Sequence, residues 1–222
     1  MTGTPENFRN VLRVLGVFPA HLPEFDPRLA PPNPVTLFLT WLKDAIRDHA
    51  LGPHAMTLAT SDATGRISSR ILLCRNVDED GRWYFASSSG SRKGGELAAN
   101  PHAALSFFWP QEGRQVRICG TVAPAGAQAS AEDFLSLSPA TRAESLTGRQ
   151  SQPLVDLTEL DESLGRAGAE IADNRSLVAP AWTLYALTAD EVEFWQADPR
   201  RRHVRLQYQR TAGTWTHRLL WP

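Results

Sequence analysis

The sequence predicts a mainly β protein with flanking helices. Short runs with strand composition occur in two series, one in the first half of the chain and one in its last quarter, and turn residues separate most of them. Between the two series, apolar residues recur at helical spacing. Since a few strands with an exposed apolar face are unstable alone, we expect the late strands to rejoin the early sheet.

The N-terminal residues predict an arm followed by a core helix. Residues 1–32 carry many prolines and have no core of their own, so we expect an arm or lid that lies over the body. Asn33 can cap a helix and Pro34 suits its first position. The face that this helix should bury consists of Leu37, Phe38, Trp41, Leu42, Ala45 and Ile46.

The first series of strands is predicted at residues 55–60, 67–75, 82–87, 104–109 and 115–123. Turn residues at 62–65 and 78–81 and the close spacing imply a meander. The fifth strand alternates, with Val116, Ile118, Gly120 and Val122 on one side and Arg117, Cys119 and Thr121 on the other. We expect one of these sides to be buried.

The second half of the chain predicts helices and then strands. Helices are expected at residues 130–146 and 158–172, the second with Leu160, Leu164, Ala167 and Ile171 on one face. Strands follow at residues 182–187, 191–196, 203–210 and 214–220. The expected organisation is a single domain over residues 33–222 that carries a helical insert at about 130–172.

Composition narrows the function classes. The 222 residues include 23 Lys and Arg against 24 Asp and Glu, a net charge of −1, so no basic field favours nucleic acid or an anionic membrane. Cys74 and Cys119 lie in apolar runs and suggest reduced core thiols in a cytoplasmic protein. The most apolar N-terminal run is too short to cross a bilayer, and the six histidines show no metal-ligand spacing. A small molecule is the expected partner.

The run Gly90-Ser91-Arg92-Lys93 is the strongest local signal. Ser91 predicts an N-cap, which places Arg92 and Lys93 in the first turn of a helix that stops at Pro101. Because a helix start prefers an anion, two cations there suggest a phosphate site. The alternative is a solvated surface helix weakened by Gly94 and Gly95.

A second constellation lies in the predicted strand at residues 203–210. If the strand begins by Arg201, Arg201, His203, Arg205 and Gln207 share one face. The alternative is a solvent-facing strand whose arginines protect a sheet edge. Trp195, taken alone, suits the core better than a ring-stacking surface. No dinucleotide fingerprint, Walker loop or nucleophile elbow occurs, so we expect a cofactor to carry the chemistry.

Six ordered motifs carry a family resemblance. They are Arg70 to Arg75, Gly90 to Lys93, Arg114-Gln115-Val116, Arg149-Gln150-Ser151, Glu193 to Gln196, and Arg201-x-His203-x-Arg205. In this order and spacing they resemble the pyridoxamine 5'-phosphate oxidases, over roughly residues 23–222. The resemblance implies a split β-barrel homodimer with FMN in two clefts at the subunit interface.

The resemblance also implies roles for individual residues. It implies FMN contacts from one subunit at Arg70, Ile71, Leu72, Leu73, Arg75, Ser87, Arg92 and Lys93. Gln115, Gln150, Ser151, Trp195 and Arg205 are implied to complete the clefts. Arg201 and His203 match residues that close over the substrate as the catalytic pair. The implied reaction passes a hydride equivalent to FMN and then to O2.

The departures from the family pattern concern the substrate. Asp133, Leu137 and Thr141 stand where the family has a tyrosine, an arginine and a serine that hold the substrate phosphate, and Arg75 replaces a lysine. An aspartate repels a phosphate dianion, so we expect altered specificity, as in the similar phenazine-biosynthesis oxidases. Authentic pyridoxamine or pyridoxine 5'-phosphate oxidation stays open, since Arg75 and Arg142 could rebuild an anion site. A non-catalytic flavin-binding protein is the other alternative.

Overall fold

The computed structural model describes residues 5–222, with side chains from residue 8 onward. In this part of the chain nine strands form one antiparallel sheet. The strands are β1 (Ala55–Ser61), β2 (Ile67–Leu73), β3 (Asn76–Val77), β4 (Arg82–Ser88), β5 (His102–Trp109), β6 (Arg114–Pro124), β7 (Trp182–Gln196), β8 (Val204–Thr211) and β9 (Thr214–Leu220). The helices are α1 (Pro5–Val14), α2 (Pro34–Arg47), α3 (Arg92–Ala99), α4 (Ala127–Leu135), α5 (Pro139–Leu146) and α6 (Leu157–Asp173), with short 3-10 turns at Pro27–Leu29 and Pro110–Glu112.

The sheet divides at β7, which has β6 along one edge and two different strands along the other. The first part of β7 pairs with β4 and its last part with β8. The main path runs β2-β1-β5-β6-β7-β4-β3, and β8 and β9 branch from β7. The result is a curled, split barrel. The expected meander is wrong, because β4 pairs with β7 and leaves β5 to pair with β1.

Strand β7 is one long strand where the sequence predicts two. The register on β6 shifts between Cys119 and Gly120, and Asp190 of β7 has no partner on β6 there. This is a β-bulge, which bends a strand without ending it. A Cβ on Gly120 would lie 2.0 Å from the carbonyl O of Thr188, so glycine permits the close approach.

Helix α2 packs its apolar face against the inner side of the sheet. The Asn33 side chain accepts a hydrogen bond from the Val35 N–H at 2.8 Å, which confirms the predicted cap. Trp41 is fully buried edge-on against Phe194, with ring centroids 5.1 Å apart. Ile46 is exposed, so the buried face is narrower than predicted.

The alternation of β6 is confirmed, but it places Cys119 outside the core, whereas Cys74 packs against the core as expected. Val116 and Ile118 are fully buried on the inner face. Cys119 lies exposed on the outer face, so its expected core position is wrong. Cys74 follows the end of β2 and is half-buried, and this burial raises the pKa of its thiol to about 12. Both cysteines are free.

The chain between β6 and β7 forms three helices instead of the two predicted. The first predicted helix is interrupted after α4, and Ser138 then caps α5 by accepting from the Thr141 N–H. The second predicted helix corresponds to α6, whose Ala167 and Ile171 pack with Ala143 of α5. Helices α5 and α6 lie beside the ends of β2 and β4, and α4 packs against β7.

The N-terminal arm lies over the barrel from Phe18 onward. Phe18 packs against Phe108, with ring centroids 6.3 Å apart, and the Tyr208 hydroxyl donates to the Pro31 carbonyl at 2.8 Å. The arm also contains α1, which the sequence analysis does not anticipate, while residues 1–4 of the arm lie outside the described residues. None of the helices in residues 5–222 combines the length and the apolar character needed to cross a membrane.

Candidate active site

A cleft of about 520 Å³ opens between the sheet and helices α5 and α6. Its volume is in the range of small-molecule and cofactor sites, roughly 300–1,000 Å³. The lining comes from the ends of β2 and β4, from α5 and the loop after it, from α6, and from Trp182. Among the lining residues are several that the sequence singles out: Ile71, Leu72, Leu73, Arg75, Ser87, Thr141 and Gln150.

The first turn of α3 meets this cleft through Gln150. Ser91 caps the helix by accepting from the Gly94 N–H at 3.3 Å, as predicted. The Lys93 ammonium group donates to Oε1 of Gln150 at 2.9 Å and to Oγ of Ser91 at 3.2 Å. The Ser87 hydroxyl donates to the same Gln150 oxygen at 3.2 Å. Residues from three separate segments therefore converge at the helix start.

Lys93 is buried although it carries a charge. Burial, together with the nearby guanidinium of Arg70, lowers the pKa of its ammonium group to about 8. Within the described side chains, no carboxylate lies at salt-bridge distance from the Lys93 nitrogen. A cation in this setting is stabilised by an anion, which would raise its pKa again.

A buried carboxylate, Glu96, organises the cations around it. It accepts hydrogen bonds from the hydroxyls of Thr60 at 2.5 Å and Ser68 at 2.6 Å, and from Nε of Arg92 at 2.8 Å. Arg70 lies 3.4 Å away. Burial opposes ionisation, but the hydrogen bonds and the Arg92 charge outweigh it and lower the Glu96 pKa to about 2. Arg70 and Arg92 are therefore held in place beside a permanent negative charge.

Gln150 and Ser151, which the resemblance groups with Gln115, Trp195 and Arg205, instead contact Ser87, Arg92 and Lys93 of the same chain. The backbone N–H of Arg92 donates to Oγ of Ser151 at 3.2 Å, and Ser151 has a positive φ of 75°. The Arg92 side chain is largely exposed. Arg70, Ser87, Arg92, Lys93, Gln150 and Ser151 thus form one constellation, which we call the α3 group.

The positions expected to hold a substrate phosphate are only partly brought together. Trp182 donates from Nε1 to Oδ2 of Asp133 at 2.9 Å, and Nε of Arg75 lies 3.9 Å from Oδ1 of the same carboxylate. Arg75, Thr141 and Trp182 line the cleft, whereas Asp133 does not. Leu137 is half-buried and does not line the cleft.

Arg142 does not offer its charge to a ligand. Its side chain is buried, and its NH2 group donates to the carbonyl oxygens of Arg175 at 2.8 Å and Leu177 at 2.7 Å. The suggestion that Arg142 rebuilds an anion site is therefore wrong. Arg149, which lines the cleft, pairs with Glu159 at 2.5 Å.

A second constellation lies on the outer face of the sheet. Gln115, Trp195 and Arg205 are direct neighbours in register across β6, β7 and β8. Arg205 binds both carboxylate oxygens of Glu193, at 2.8 and 3.1 Å. Trp195 is half-buried at this face, so its interpretation as a core residue is wrong. We call these residues the outer-face group.

Arg201 and His203 precede β8, and the predicted row of four side chains is therefore wrong. Arg201 lies in the loop with a φ of +64°, and its side chain is exposed. Nδ1 of His203 accepts from the Asp198 N–H at 3.0 Å, and its ring lies 4.9 Å from the Trp195 ring. His203 thus joins the outer-face group, while the Arg201 side chain is exposed to solvent.

The two groups lie far apart along one chain. Ser87 pairs with Thr183 near the start of β7, and Gln115 pairs with Trp195 near its end. At roughly 3.3 Å per residue, about 40 Å of strand separates the two positions. None of the outer-face residues lines the described cleft.

Three side chains at these sites were missed by the sequence analysis. Glu96 follows Arg92 by one helical turn, a spacing that signals an ion pair. Glu193 lies two residues before Trp195, so the two side chains share a strand face. Trp195 pairs with Arg205, and this spacing therefore indicates a contact between Glu193 and Arg205. Trp182 had no local signal, because its partner Asp133 lies on α4. Across residues 5–222, no three His, Cys, Asp or Glu side chains cluster in a way that could hold a metal.

Comparisons with known proteins match most of the chain. The pyridoxamine 5'-phosphate oxidase family model matches residues 42–161, and the model of the pyridoxine 5'-phosphate oxidase C-terminal dimerisation region matches residues 182–222. A pyridoxine/pyridoxamine 5'-phosphate oxidase of Pseudomonas paraeruginosa is 39% identical over 195 residues, 87% of this chain and 90% of the relative. The enzyme of the same name from Paraburkholderia phymatum is 41% identical over 83% of this chain and 87% of its own.

Solved structures agree with this assignment. PhzG from Burkholderia lata, solved in complex with tetrahydrophenazine-1-carboxylic acid, superposes with a TM-score of 0.81 at 32% identity, over 90% of this chain and 99% of PhzG. A pyridoxamine 5'-phosphate oxidase-related, FMN-binding protein from Nostoc punctiforme has the same fold, with a TM-score of 0.66 at 20% identity, over 87% of this chain and 98% of that protein. The matched C-terminal region supports a homodimer. By sequence, fold and dimerisation region, this chain belongs to the pyridoxamine 5'-phosphate oxidase family.

Proposed function

We propose that this chain is an FMN-dependent oxidase in which the α3 group holds the phosphate of FMN and the cleft holds the rest of the cofactor. The observation that carries this proposal is Lys93, a buried ammonium group with no carboxylate partner at a capped helix start. A phosphate there gains charge-assisted hydrogen bonds and the favourable end of the helix dipole.

The described side chains suit FMN in a further respect. The Ser88 hydroxyl lines the cleft and is buried without a hydrogen-bond partner, as expected of a group that awaits a polar ligand. Bound FMN would supply the redox chemistry, acceptance of a hydride equivalent from the substrate and its transfer to O2 with formation of hydrogen peroxide. The protein supplies binding, orientation and exclusion of water.

We further propose that the outer-face group completes the cleft of the partner subunit. Both groups match cofactor residues of the family, yet they lie far apart on one chain. A symmetric dimer can bring the outer-face group of one subunit to the α3 group of the other. The matched dimerisation region supports this arrangement.

Arg201 and His203 are proposed as the catalytic pair that closes over the substrate. Because Nδ1 of His203 accepts a hydrogen bond, the proton of the neutral ring resides on Nε2, which is left to donate. Arg201 is exposed, and its charge has no partner within salt-bridge distance among the described residues. Both side chains can thus hold a polar, electron-rich substrate ring. A non-catalytic flavin-binding protein would not need this pair.

For the substrate, we propose a reduced nitrogen heterocycle or amine that lacks a phosphate. Asp133 carries this part of the proposal, because its carboxylate lies beside Arg75 and offsets the charge of that guanidinium. Arg142 and Arg149 are engaged elsewhere. Among the described residues that line the cleft, no arginine or lysine is therefore left without a partner to hold a second phosphate. The cleft suits a neutral or singly charged heterocycle such as the carboxylate bound to PhzG.

The second candidate is authentic pyridoxine or pyridoxamine 5'-phosphate oxidation. It is favoured by the names of the curated relatives at 39% and 41% identity. In this case the Arg75 guanidinium leaves the Asp133 carboxylate and binds the substrate phosphate.

An anaerobic reduction experiment separates the two candidates. The purified protein is loaded with FMN and mixed without oxygen with pyridoxamine 5'-phosphate or with tetrahydrophenazine-1-carboxylic acid, and the flavin absorbance is followed. We expect rapid bleaching by the tricyclic carboxylate and slow bleaching by the phosphate ester. Rapid bleaching by pyridoxamine 5'-phosphate alone would support the second candidate.

A paired variant tests the role of Asp133 directly. Asp133→Tyr with Leu137→Arg should speed reduction by pyridoxamine 5'-phosphate at least tenfold, because charge-assisted hydrogen bonds to a phosphate contribute about 1.5–3 kcal/mol each. The matched control is Glu132→Tyr with Ser136→Arg, at exposed positions one residue earlier. Equal rates in the paired variant and the control would contradict the specificity proposal.

A further inference from the structure

Glu193 is a buried carboxylate on the outer face of the sheet. The residues before and after it in β7 point to the opposite face, into the core. The Glu193 side chain is only 4% exposed. Val192 and Phe194, on either side, are fully buried in the inner core. Burial of a charged group on the outer face requires partners, and Glu193 has two arginines.

The contacts of Glu193 fix the orientation of Arg205. Arg205 donates from Nε to one carboxylate oxygen at 2.8 Å and from NH2 to the other at 3.1 Å. Its NH1 group donates to the carbonyl of Trp221 at 2.9 Å. A guanidinium has five N–H donors, so these three bonds leave two free. Arg117 makes a short contact to the same carboxylate.

The cluster also keeps a net positive charge. One carboxylate faces two guanidiniums, so the side chains of Glu193, Arg117 and Arg205 together carry one positive charge. The bidentate geometry restricts Arg205 to one plane, beside Trp195 in the register. A guanidinium that is already held in its binding orientation loses less conformational entropy on binding an anionic or electron-rich ligand than a mobile guanidinium does.

We propose that Glu193 is the positioning residue of the outer-face group and that it holds the two free N–H donors of Arg205 toward the flavin in the partner's cleft. This inference rests on the proposed function. It assigns Glu193 a role that acts through Arg205, without contact to the ligand. If the ion pair were merely structural, loss of Glu193 would affect folding and dimer mass. Its effect on FMN affinity would then not depend on the presence of Arg205.

A double-mutant cycle on FMN affinity tests the inference. Apo-protein is titrated with FMN by flavin fluorescence for the wild type, Glu193→Gln, Arg205→Ala and the double variant. We expect Glu193→Gln to raise the FMN Kd at least tenfold in the wild-type background and less than twofold in the Arg205→Ala background. Glu191→Gln is the matched control, since it removes the same charge from the same strand face and should leave Kd within twofold.

Folding and dimer mass are measured on every variant, and Glu193→Asp replaces Glu193→Gln if the latter does not fold, because the shorter side chain cannot make both bonds. An unchanged Kd in Glu193→Gln, or an equal effect with and without Arg205, would overturn the inference. Failure of the wild type to bind FMN would instead refute the proposed function.

Discussion

At the scale of single residues, two buried charges of opposite sign lie at the start of α3. Lys93 has an ammonium group that burial makes easier to deprotonate, and Glu96 has a carboxylate that hydrogen bonds keep ionised. Glu96 holds Arg70 and Arg92 in place, while Lys93 is left to pair with a ligand. The charge that a ligand phosphate meets therefore depends on the protonation of Lys93.

This dependence predicts a pH effect on FMN affinity. The pKa of Lys93 is about 8 in the free protein, and a bound phosphate raises it. Affinity should be nearly constant between about pH 7 and 8 and should then fall by up to about tenfold per pH unit until the pKa of the complex is reached. Isothermal titration between about pH 7 and 10, where the phosphate is mainly the dianion, measures the effect.

Lys93→Met should bind FMN weakly and lose this dependence. Lys43→Met, at an exposed position on α2, is the control and should retain both the affinity and its pH profile. A pH profile in Lys93→Met that matches the wild type would show that another group controls phosphate binding.

At the scale of elements, the start of α3 depends on a close approach to the end of β4. A Cβ on Gly94 would lie 2.3 Å from the carbonyl O of Ser89, whereas a Cβ on Gly95 would have no atom within 4 Å. Gly94 therefore lets the helix begin where Ser91 and Lys93 reach Gln150. From sequence alone, both glycines are expected to weaken the helix. The structure shows that only Gly94 is needed for a close backbone approach.

Adjacent alanine substitutions should consequently have opposite effects. Gly94→Ala should destabilise the protein by about 1–3 kcal/mol through overpacking and should weaken FMN binding. Gly95→Ala should stabilise α3 by up to about 1 kcal/mol, because alanine is the better helix former. Urea unfolding and FMN titration of both variants provide the measurement. Equal effects would mean that α3 shifts freely and that its start is not fixed by β4.

Local signals predict the elements better than their connections. The caps at Asn33 and Ser91 are predictable because cap and helix are adjacent in sequence. The bulge opposite Gly120 is not, since its cause is the approach of Thr188 from another strand. Arg201 was misplaced for a similar reason, because β8 begins only after the turn at Asp198.

The site residues follow the same rule. The motif positions of the α3 group come from the sequence resemblance. The structure brings Ser87 and Lys93 to Gln150, and Arg92 to Ser151, although the resemblance groups Gln150 and Ser151 with the residues of the outer face. The partners Glu96, Trp182 and Glu193 were missed, because nothing in one sequence states which distant side chain a charge will meet. That residues 33–222 act as one domain stays a prediction.

At the scale of the whole molecule, the outer face of the sheet carries apolar side chains on two strands. Ile67 and Ile71 on β2 and Phe108 on β5 are exposed, and Phe108 neighbours Gln115 in the register. Exposed apolar side chains on one face of a sheet are typical of an interface between subunits. Together with the matched dimerisation region, this surface suits the contact between two copies of the chain.

A charged side chain introduced at this surface should dissociate the dimer and, with it, release the cofactor. Phe108 is 49% exposed, and Phe108→Arg should yield a monomer with little FMN, by light scattering and absorbance. Leu51→Arg, at a 96% exposed position away from the sheet, should stay a loaded dimer. A Phe108→Arg monomer that keeps one FMN per chain would argue that each cleft is complete within a single subunit.

Subunit mixing tests most directly whether one cleft draws on two chains. One variant carries Arg92→Ala and Lys93→Ala, and the other carries Trp195→Ala and Arg205→Ala. Each homodimer should bind FMN poorly, because both of its clefts lack one group. After unfolding and refolding together, the mixed dimer should contain one intact cleft and bind one FMN per dimer with wild-type affinity. A mixed dimer that binds no more FMN than its parents would contradict the shared cleft.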